Sequence, residues 1–368
     1  MSFLSTVALG FIAFDIGNEF RLAQLKKTGR VATVIGIVQA LTAMALVDIA
    51  LIALHFILGP EKLPLPVAIT LGAIATATAP AATLMVVRQY KAKGPLTDLL
   101  LPIVALDDAV GLVVFAVSFG VAQAMQGGAL NVVSVVVNPL LEIVCSLALG
   151  AAMGSLLMLL EKLFFSNKNR LSLTIAFVMM TIALSTLEIP LFGEMKISFS
   201  SLLVCMMLGT MFCNLSEYSV DIMKRSEEWT APLYAVFFVL SGAQLDLTVF
   251  RYPSILLIGM VFILVRCAGK YLGAWGSATL MGCEPNVRKY LGITLFPQAG
   301  VALGMVVTAQ ALGQESGAMI RNIILFAVLV YELVGPLLTK QSLMAAGEVQ
   351  SKHPEAHYRA RFEKKPAH

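Results

Sequence analysis

Two adjacent acids, Asp107 and Asp108, sit in the middle of a stretch from Leu99 to Val117 that carries no other charge. Eight residues of the stretch precede the pair and nine follow it. At about 1.5 Å per residue, a helix over this run crosses most of a hydrocarbon core. A carboxylate at that depth costs about 2.5 kcal/mol or more, so it is kept where it faces a wet cavity, exchanges protons or pairs with a base. The flanks are apolar on every face, which argues against a solvent-facing pair on an amphipathic helix. Neighbouring positions on a helix point about 100° apart. One acid can therefore face an ion while the other faces a different partner.

Composition sets the class. Hydrophobic residues make up 58% of the 368 and charged residues 13%, against about 25% charged in a soluble domain. The chain reads as an all-α polytopic membrane protein. Its net charge is +4, and four positives, Arg359, Arg361, Lys364 and Lys365, fall in a polar tail. That tail fits the cytoplasmic side of a bilayer better than it fits nucleic acid. The five cysteines lie in or beside apolar runs without metal-ligand spacing and read as small buried apolar residues. Residues 2–20 contain Asp15, have no basic n-region and do not read as a signal peptide.

Eleven apolar segments follow one another, at 3–20, 31–58, 65–87, 97–125, 132–160, 171–187, 197–216, 230–247, 254–281, 290–312 and 319–339. Basic loops follow the first, third, fifth and ninth, neutral or acidic loops the second, fourth, sixth and tenth, and a mixed loop the seventh. The positive-inside rule then puts the C-terminus in the cytoplasm and Met1 outside.

A repeat lies within this order. Gly17-Asn-Glu-Phe-Arg-Leu22 resembles Gly242-Ala-Gln-Leu-Asp-Leu247 at an offset of 242 − 17 = 225. Adding 225 to 107 gives 332, where Glu332 is another acid in an apolar run. The matched segments are the first and the eighth, an odd number of crossings apart, so the halves are inverted, as in many transporters. The segment at 197–216 would need a counterpart upstream of Met1, and the expectation is a chain that begins inside its first repeat.

Two segments are interrupted. Ala73 to Thr83 is nearly all small residues around Pro80, with Thr76 and Thr78 just before it, and Thr294 to Gly304 holds Pro297 and Gln298. Proline frees a carbonyl one turn earlier, and broken helices are tolerated where they line a cavity. A positive partner for the acids is available in the segment 254–281, where Arg266 and Lys270 are four apart and share a face. Lysine changes protonation readily when desolvated, whereas arginine stays charged. The competing reading for both is snorkelling to the interface. Asp15, Asp48, Glu142 and His55 receive no role.

With these residues assembled, the chain resembles the sodium/proton antiporters of the cation/proton antiporter superfamily, of the NapA-like type. The resemblance covers about residues 1–348 and is carried by Gly10-Phe-Ile-Ala-Phe-Asp-Ile-Gly-Asn-Glu19, Thr76-Ala-Thr-Ala-Pro-Ala-Ala-Thr-Leu84, Lys93-Gly-Pro-Leu-Thr97 and Ala105-Leu-Asp-Asp108. Phe237-Phe-Val-Leu-Ser-Gly242, Arg266-Cys-Ala-Gly-Lys270, Gly335-Pro-Leu-Leu338 and Ala346-Gly-Glu348 extend it. It implies an inverted-repeat fold with two crossed broken helices, built on Thr76, Thr78 and Pro80 and on Pro297 and Gln298. By the resemblance, Asp108 binds the transported cation or its protons. Asp107 matches the electrogenic form of the family, and Lys270 matches the lysine that pairs with it. Arg266 and Glu332 are secondary candidates.

The expected layout is a transmembrane exchanger domain at 1–340 and a short cytoplasmic tail at 341–368. Within the first, the core covers 31–125 and 254–340, a dimerisation scaffold covers 1–30 and 171–253, and a linker helix covers 132–160. The transported ion would be Na+ or Li+, with K+ the alternative, exchanged for H+ across the cytoplasmic membrane with no cofactor. The family's first two helices are expected to be missing from this sequence, and a homodimer is expected if they are present. Some relatives carry an acid where Ala79 stands, or Arg and Glu where Gln298 and Gly300 stand, which bears on ion choice and pH regulation. The tail lacks the Gly-x-Gly-x-x-Gly of a nucleotide-binding domain. Rival readings are weaker. An intramembrane aspartyl protease needs its acids on separate helices, and a bile-acid-type sodium symporter needs no buried lysine beside paired acids.

Overall fold

The apolar runs become helices, and the two that carry the interrupting prolines break. The computed structural model describes residues 3–19, 21–126, 138–187, 189–190, 196–243 and 253–349. Among them are thirteen α-helices: α1 (Phe3–Glu19), α2 (Leu22–Leu58), α3 (Leu65–Ile74), α4 (Pro80–Gln89), α5 (Pro95–Gln126), α6 (Asn138–Glu161), α7 (Asn167–Ser185), α8 (Ser201–Leu215), α9 (Ser219–Ala243), α10 (Pro253–Leu280), α11 (Pro285–Thr294), α12 (Gly300–Ala309) and α13 (Gln314–Ala345). Each of the eleven expected segments recurs, and the count rises to thirteen because 65–87 divides into α3 and α4 and 290–312 into α11 and α12. Residue 20 and the stretches 132–137 and 244–247 of the expected segments, and the tail from 350, lie outside the described residues.

Length and composition fit a bilayer. Five stretches, Gly29–Leu58, Pro95–Gln126, Leu141–Glu161, Pro253–Leu280 and Gln314–Ala345, are long and apolar enough to cross one singly. Within α2, Gly29 has φ 61° and sets a short leading helix off from the spanning part. One feature was not expected. A two-residue antiparallel ladder pairs Ile189 with Ile197 and Pro190 with Lys196, in the connection between α7 and α8.

Two packings organise the helices. In one, α2 lies along α10 and also packs on α3 and α5, while α13 packs on α10, α11 and α12. Small residues set the closeness of the α2–α10 contact, since a methyl group on Gly273 would stand 2.6 Å from the Cα of Gln39. In the other, α8 lies between α1 and α6. Both ends of every broken helix belong to the first packing.

Candidate functional site: a charged crossing of two broken helices

The breaks have local causes. Pro80 opens α4, where its missing N–H costs nothing and its fixed φ suits a first helical turn. The residue before a proline is steered away from helical geometry, and this acts on Ala79 ahead of Pro80 and on Phe296 ahead of Pro297. α3 stops at Ile74 and α4 starts at Pro80; α11 stops at Thr294 and α12 starts at Gly300. The two gaps cross and are stitched together by the Ala79 N–H, which donates to the Pro297 carbonyl at 2.8 Å.

A helix that breaks inside an apolar medium exposes the carbonyls at its end and through the break, and each must find a donor. Most of the carbonyls exposed at the two breaks are met. At the end of α3, the carbonyl of Ile74 accepts from Gln298 Nε2 (2.8 Å), Ala75 from Arg266 Nε (3.0 Å), Thr76 from Lys270 Nζ (2.5 Å) and Ala77 from Arg266 Nη2 (2.6 Å). At the end of α11, Thr294 accepts from Thr83 Oγ1 (3.4 Å), Phe296 from Arg266 Nη1 (2.8 Å) and Pro297 from Ala79, while the Thr78 hydroxyl, 3.4 Å from the Leu295 carbonyl, gives its one proton to Asp107. Arg266 thus serves both C-terminal ends, where cations are favoured. Its guanidinium carbon also lies 4.6 Å from the ring centroid of Tyr331. Both Arg266 and Lys270 are fully buried, so neither snorkels: the stranded carbonyls offer each of them a partner in the interior.

Asp107 and Asp108, on α5, are both fully buried, and Asp107 meets the crossing directly. Asp107 forms an ion pair with Lys270, Oδ2 to Nζ at 2.5 Å. Its Oδ2 also accepts from the Thr78 hydroxyl, and its Oδ1 accepts from Gln39 Nε2 at 2.6 Å. A carboxylate offers about four acceptor positions, so three donors leave Asp107 about one.

Of the residues singled out in the sequence, the structure brings together Asp107, Lys270, Thr78, Gln298, Pro297 and Arg266. Thr76 belongs to the crossing through its carbonyl, because its hydroxyl donates to Ala73 O at 2.6 Å. Glu332 stands apart. α13 buries Tyr331 and leaves Glu332 exposed. The repeat offset explains why. Between the breaks it is 295 − 75 = 220 rather than 225, so the position matched to Asp107 is 107 + 220 = 327, and Ala327 is buried. Gln39 was missed. Its signal was faint, a lone amide in the run 31–58. The side-chain oxygens of Gln39 and Gln298 are buried and accept no hydrogen bond among the described residues.

A sequence profile describing the transmembrane sodium/hydrogen exchangers matches residues 1–345. The chain belongs to the sodium/hydrogen exchanger family. It is therefore a multi-pass membrane protein, a transporter by family and fold. It is 25% identical over 342 residues to the high-affinity Na+/H+ antiporter NhaS3 of Synechocystis sp., an alignment that takes in 87% of this exchanger and 66% of the relative. The chain thus spans slightly less than two thirds of that relative's length. Among solved structures, it superposes on the sodium proton antiporter MjNhaP1 of Methanocaldococcus jannaschii at pH 8 with a TM-score of 0.69 and 17% identity, covering 93% of this chain and 85% of the other. An electron-microscopy structure of MjNhaP1 gives a TM-score of 0.62 at 15% identity, with the same coverage. At these identities the likeness speaks for the fold: the crossing of two broken helices sits in an antiporter architecture.

Proposed function

We propose that this exchanger trades a monovalent cation, sodium or lithium before potassium, for protons by alternating access. The observation that carries the reading is the buried Asp107–Asp108 pair on α5, set against two broken helices with Lys270 bound to the first acid. The two helix ends, each worth about half a negative charge, offset Arg266. The remaining formal charges, two carboxylates and one ammonium, sum to −2 + 1 = −1. One proton or one monovalent cation neutralises that sum, so the two compete for the same place.

In this reading Asp108 carries the proton in one state and binds the cation in the other. Break carbonyls and the side-chain oxygens of Gln298 and Gln39 are the further oxygens within the crossing that suit such an ion. Asp107 becomes a ligand only if Lys270 withdraws, since its acceptor positions are nearly filled. An ammonium left without its carboxylate in an apolar interior is costly, and Lys270 then gives up its proton. Two protons for one cation moves one net charge per cycle. The reading puts the tail in the cytoplasm of a protein in the cell membrane, takes no cofactor, and gives a homodimer where the family's first two helices are present.

Everted membrane vesicles challenged separately with sodium, lithium and potassium test the reading. Proton release on addition of sodium or lithium is the expected result. A response to potassium alone moves the substrate to the alternative, and no response to any of the three overturns antiport. In proteoliposomes with a clamped potential, exchange is expected to follow the voltage, because one charge across 100 mV involves about 2.3 kcal/mol.

A further inference from the structure

Two stretches that take no part in the crossing, Lys93-Gly-Pro-Leu-Thr97 and Ala346-Gly-Glu348, meet in the structure. The chain leaves α13 at Ala345, turns at Gly347 (φ 78°) and lays Glu348 against the first turn of α5. The carboxylate of Glu348 accepts from the N–H of Leu96 (2.6 Å), the N–H of Thr97 (2.8 Å) and the hydroxyl of Thr97 (2.6 Å). Its main-chain carbonyl accepts the Lys93 N–H at 3.0 Å. The first N–H groups of a helix have no partner within it, and a negative charge is favoured there.

The contact is built into its surroundings. Glu348 is buried, and a Cβ on Gly94 would stand 2.5 Å from its carboxyl carbon. Leu343 shares an apolar cluster with Leu96 and Leu100 of α5 and with Val287 and Leu291 of α11. Asn286 donates to the Ala346 carbonyl at 3.4 Å, and the Lys340 ammonium lies 4.8 Å from the ring centroid of Tyr90. Residues 346–349 therefore fasten the start of α5 to the start of α11 and the end of α13, the elements around the breaks.

We propose that Glu348 is a positioning residue for ion exchange, clamping α5 at the height and rotation that keep Asp107 on Lys270, Thr78 and Gln39. Thr97 and Asp107 are ten residues apart on one helix that continues through Pro102, about 15 Å along its axis. A slip or turn at the clamped end therefore displaces the acids from their donors. The inference rests on the antiport reading, and its test separates the two.

Sodium-dependent proton release is measured in everted vesicles holding the full chain, corrected for the amount of protein, for Glu348→Ala, Glu348→Gln and Gly94→Ala. The apparent KM for sodium is expected to rise about tenfold in Glu348→Ala, the scale of one lost charge-assisted contact, and less in Glu348→Gln. Gly94→Ala, whose Cβ would meet that carboxylate and whose φ of 159° also disfavours a side chain, should raise KM as well. A purely structural cap would instead reduce the amount of protein and leave KM alone. Wild-type KM in Glu348→Ala and Glu348→Gln overturns the proposal. If the unaltered protein itself releases no protons, antiport fails separately, and amide hydrogen exchange on the purified protein decides about the clamp. Glu348→Ala or Gly94→Ala should then speed exchange beyond the first turn of α5, into the turn of Asp107 and Asp108. A change confined to Leu96 and Thr97 overturns it.

Discussion

The crossing of the broken helices and the α1–α8–α6 packing both bring helices into close contact within an apolar setting, by opposite means. Along α8 the means is the absence of side chains. A methyl group added to Gly209 would stand 2.1 Å from the Phe14 carbonyl oxygen, and one added to Gly150 would stand 2.4 Å from that of Val204. Backbone meets backbone there, as between small residues in membrane helices generally. At the crossing, helices end in mid-path, and two cations and an amide are spent on the carbonyls this exposes. The first arrangement is held by close backbone packing. The second is held by hydrogen bonds and an ion pair that a proton or a metal ion can compete for. What can be competed for can switch, and this difference supports the proposed exchange at the crossing.

Five substitutions, two of them combined, sharpen the contrast. Asp108→Asn is expected to cut exchange by at least about 100-fold while the melting temperature holds or rises, because it neutralises a costly buried charge. Wild-type proton release from that variant would remove Asp108 from the site. Next comes Lys270→Gln, which strands Asp107 as an uncompensated buried charge at a cost of about 3 kcal/mol. Adding Asp107→Asn should restore most of that stability in thermal unfolding of purified protein. Whatever exchange survives in Lys270→Gln should ignore an imposed potential. Gly209→Ala acts on the other region. It should cost about 1–3 kcal/mol as α1 and α8 are forced apart, with the apparent KM for sodium unaltered; a shifted KM would mean that the two regions are not energetically separate. The smallest effect is expected from Glu332→Gln, with exchange within about twofold of wild type, since surface positions away from special features contribute little. A large loss there would bring the exposed face of α13 into the mechanism.

Much of this was legible before any coordinates. Residue spacing marked Asp107 and Asp108 as mid-span acids, the prolines at 80 and 297 marked the breaks, and Arg266 and Lys270 stood out as charges in an apolar run. Each is a local signal, read from a residue type against its neighbours. The repeat was legible in kind but not in register. An offset taken from the first and eighth segments did not carry to the breaks, because connections of unequal length shift the count by five residues. With that shift the first offset falls on Glu332 and the offset of the breaks on Ala327.

The sequence by itself determined that the chain lives in a bilayer, that two of its helices break, and which few charges are buried with them. These follow from hydrophobic run length, from the geometry of proline and from the cost of a charge in hydrocarbon. Only the tertiary structure decided who meets whom. The Lys270–Asp107 pair spans 163 residues, the bond from Arg266 to Ala75 spans 191, and Glu348 reaches back 252 to Leu96. Most donors at the crossing end on main-chain carbonyls, which every residue carries alike. No residue type announces that its carbonyl will be stranded. That is decided where the helix ends and by what is packed against it.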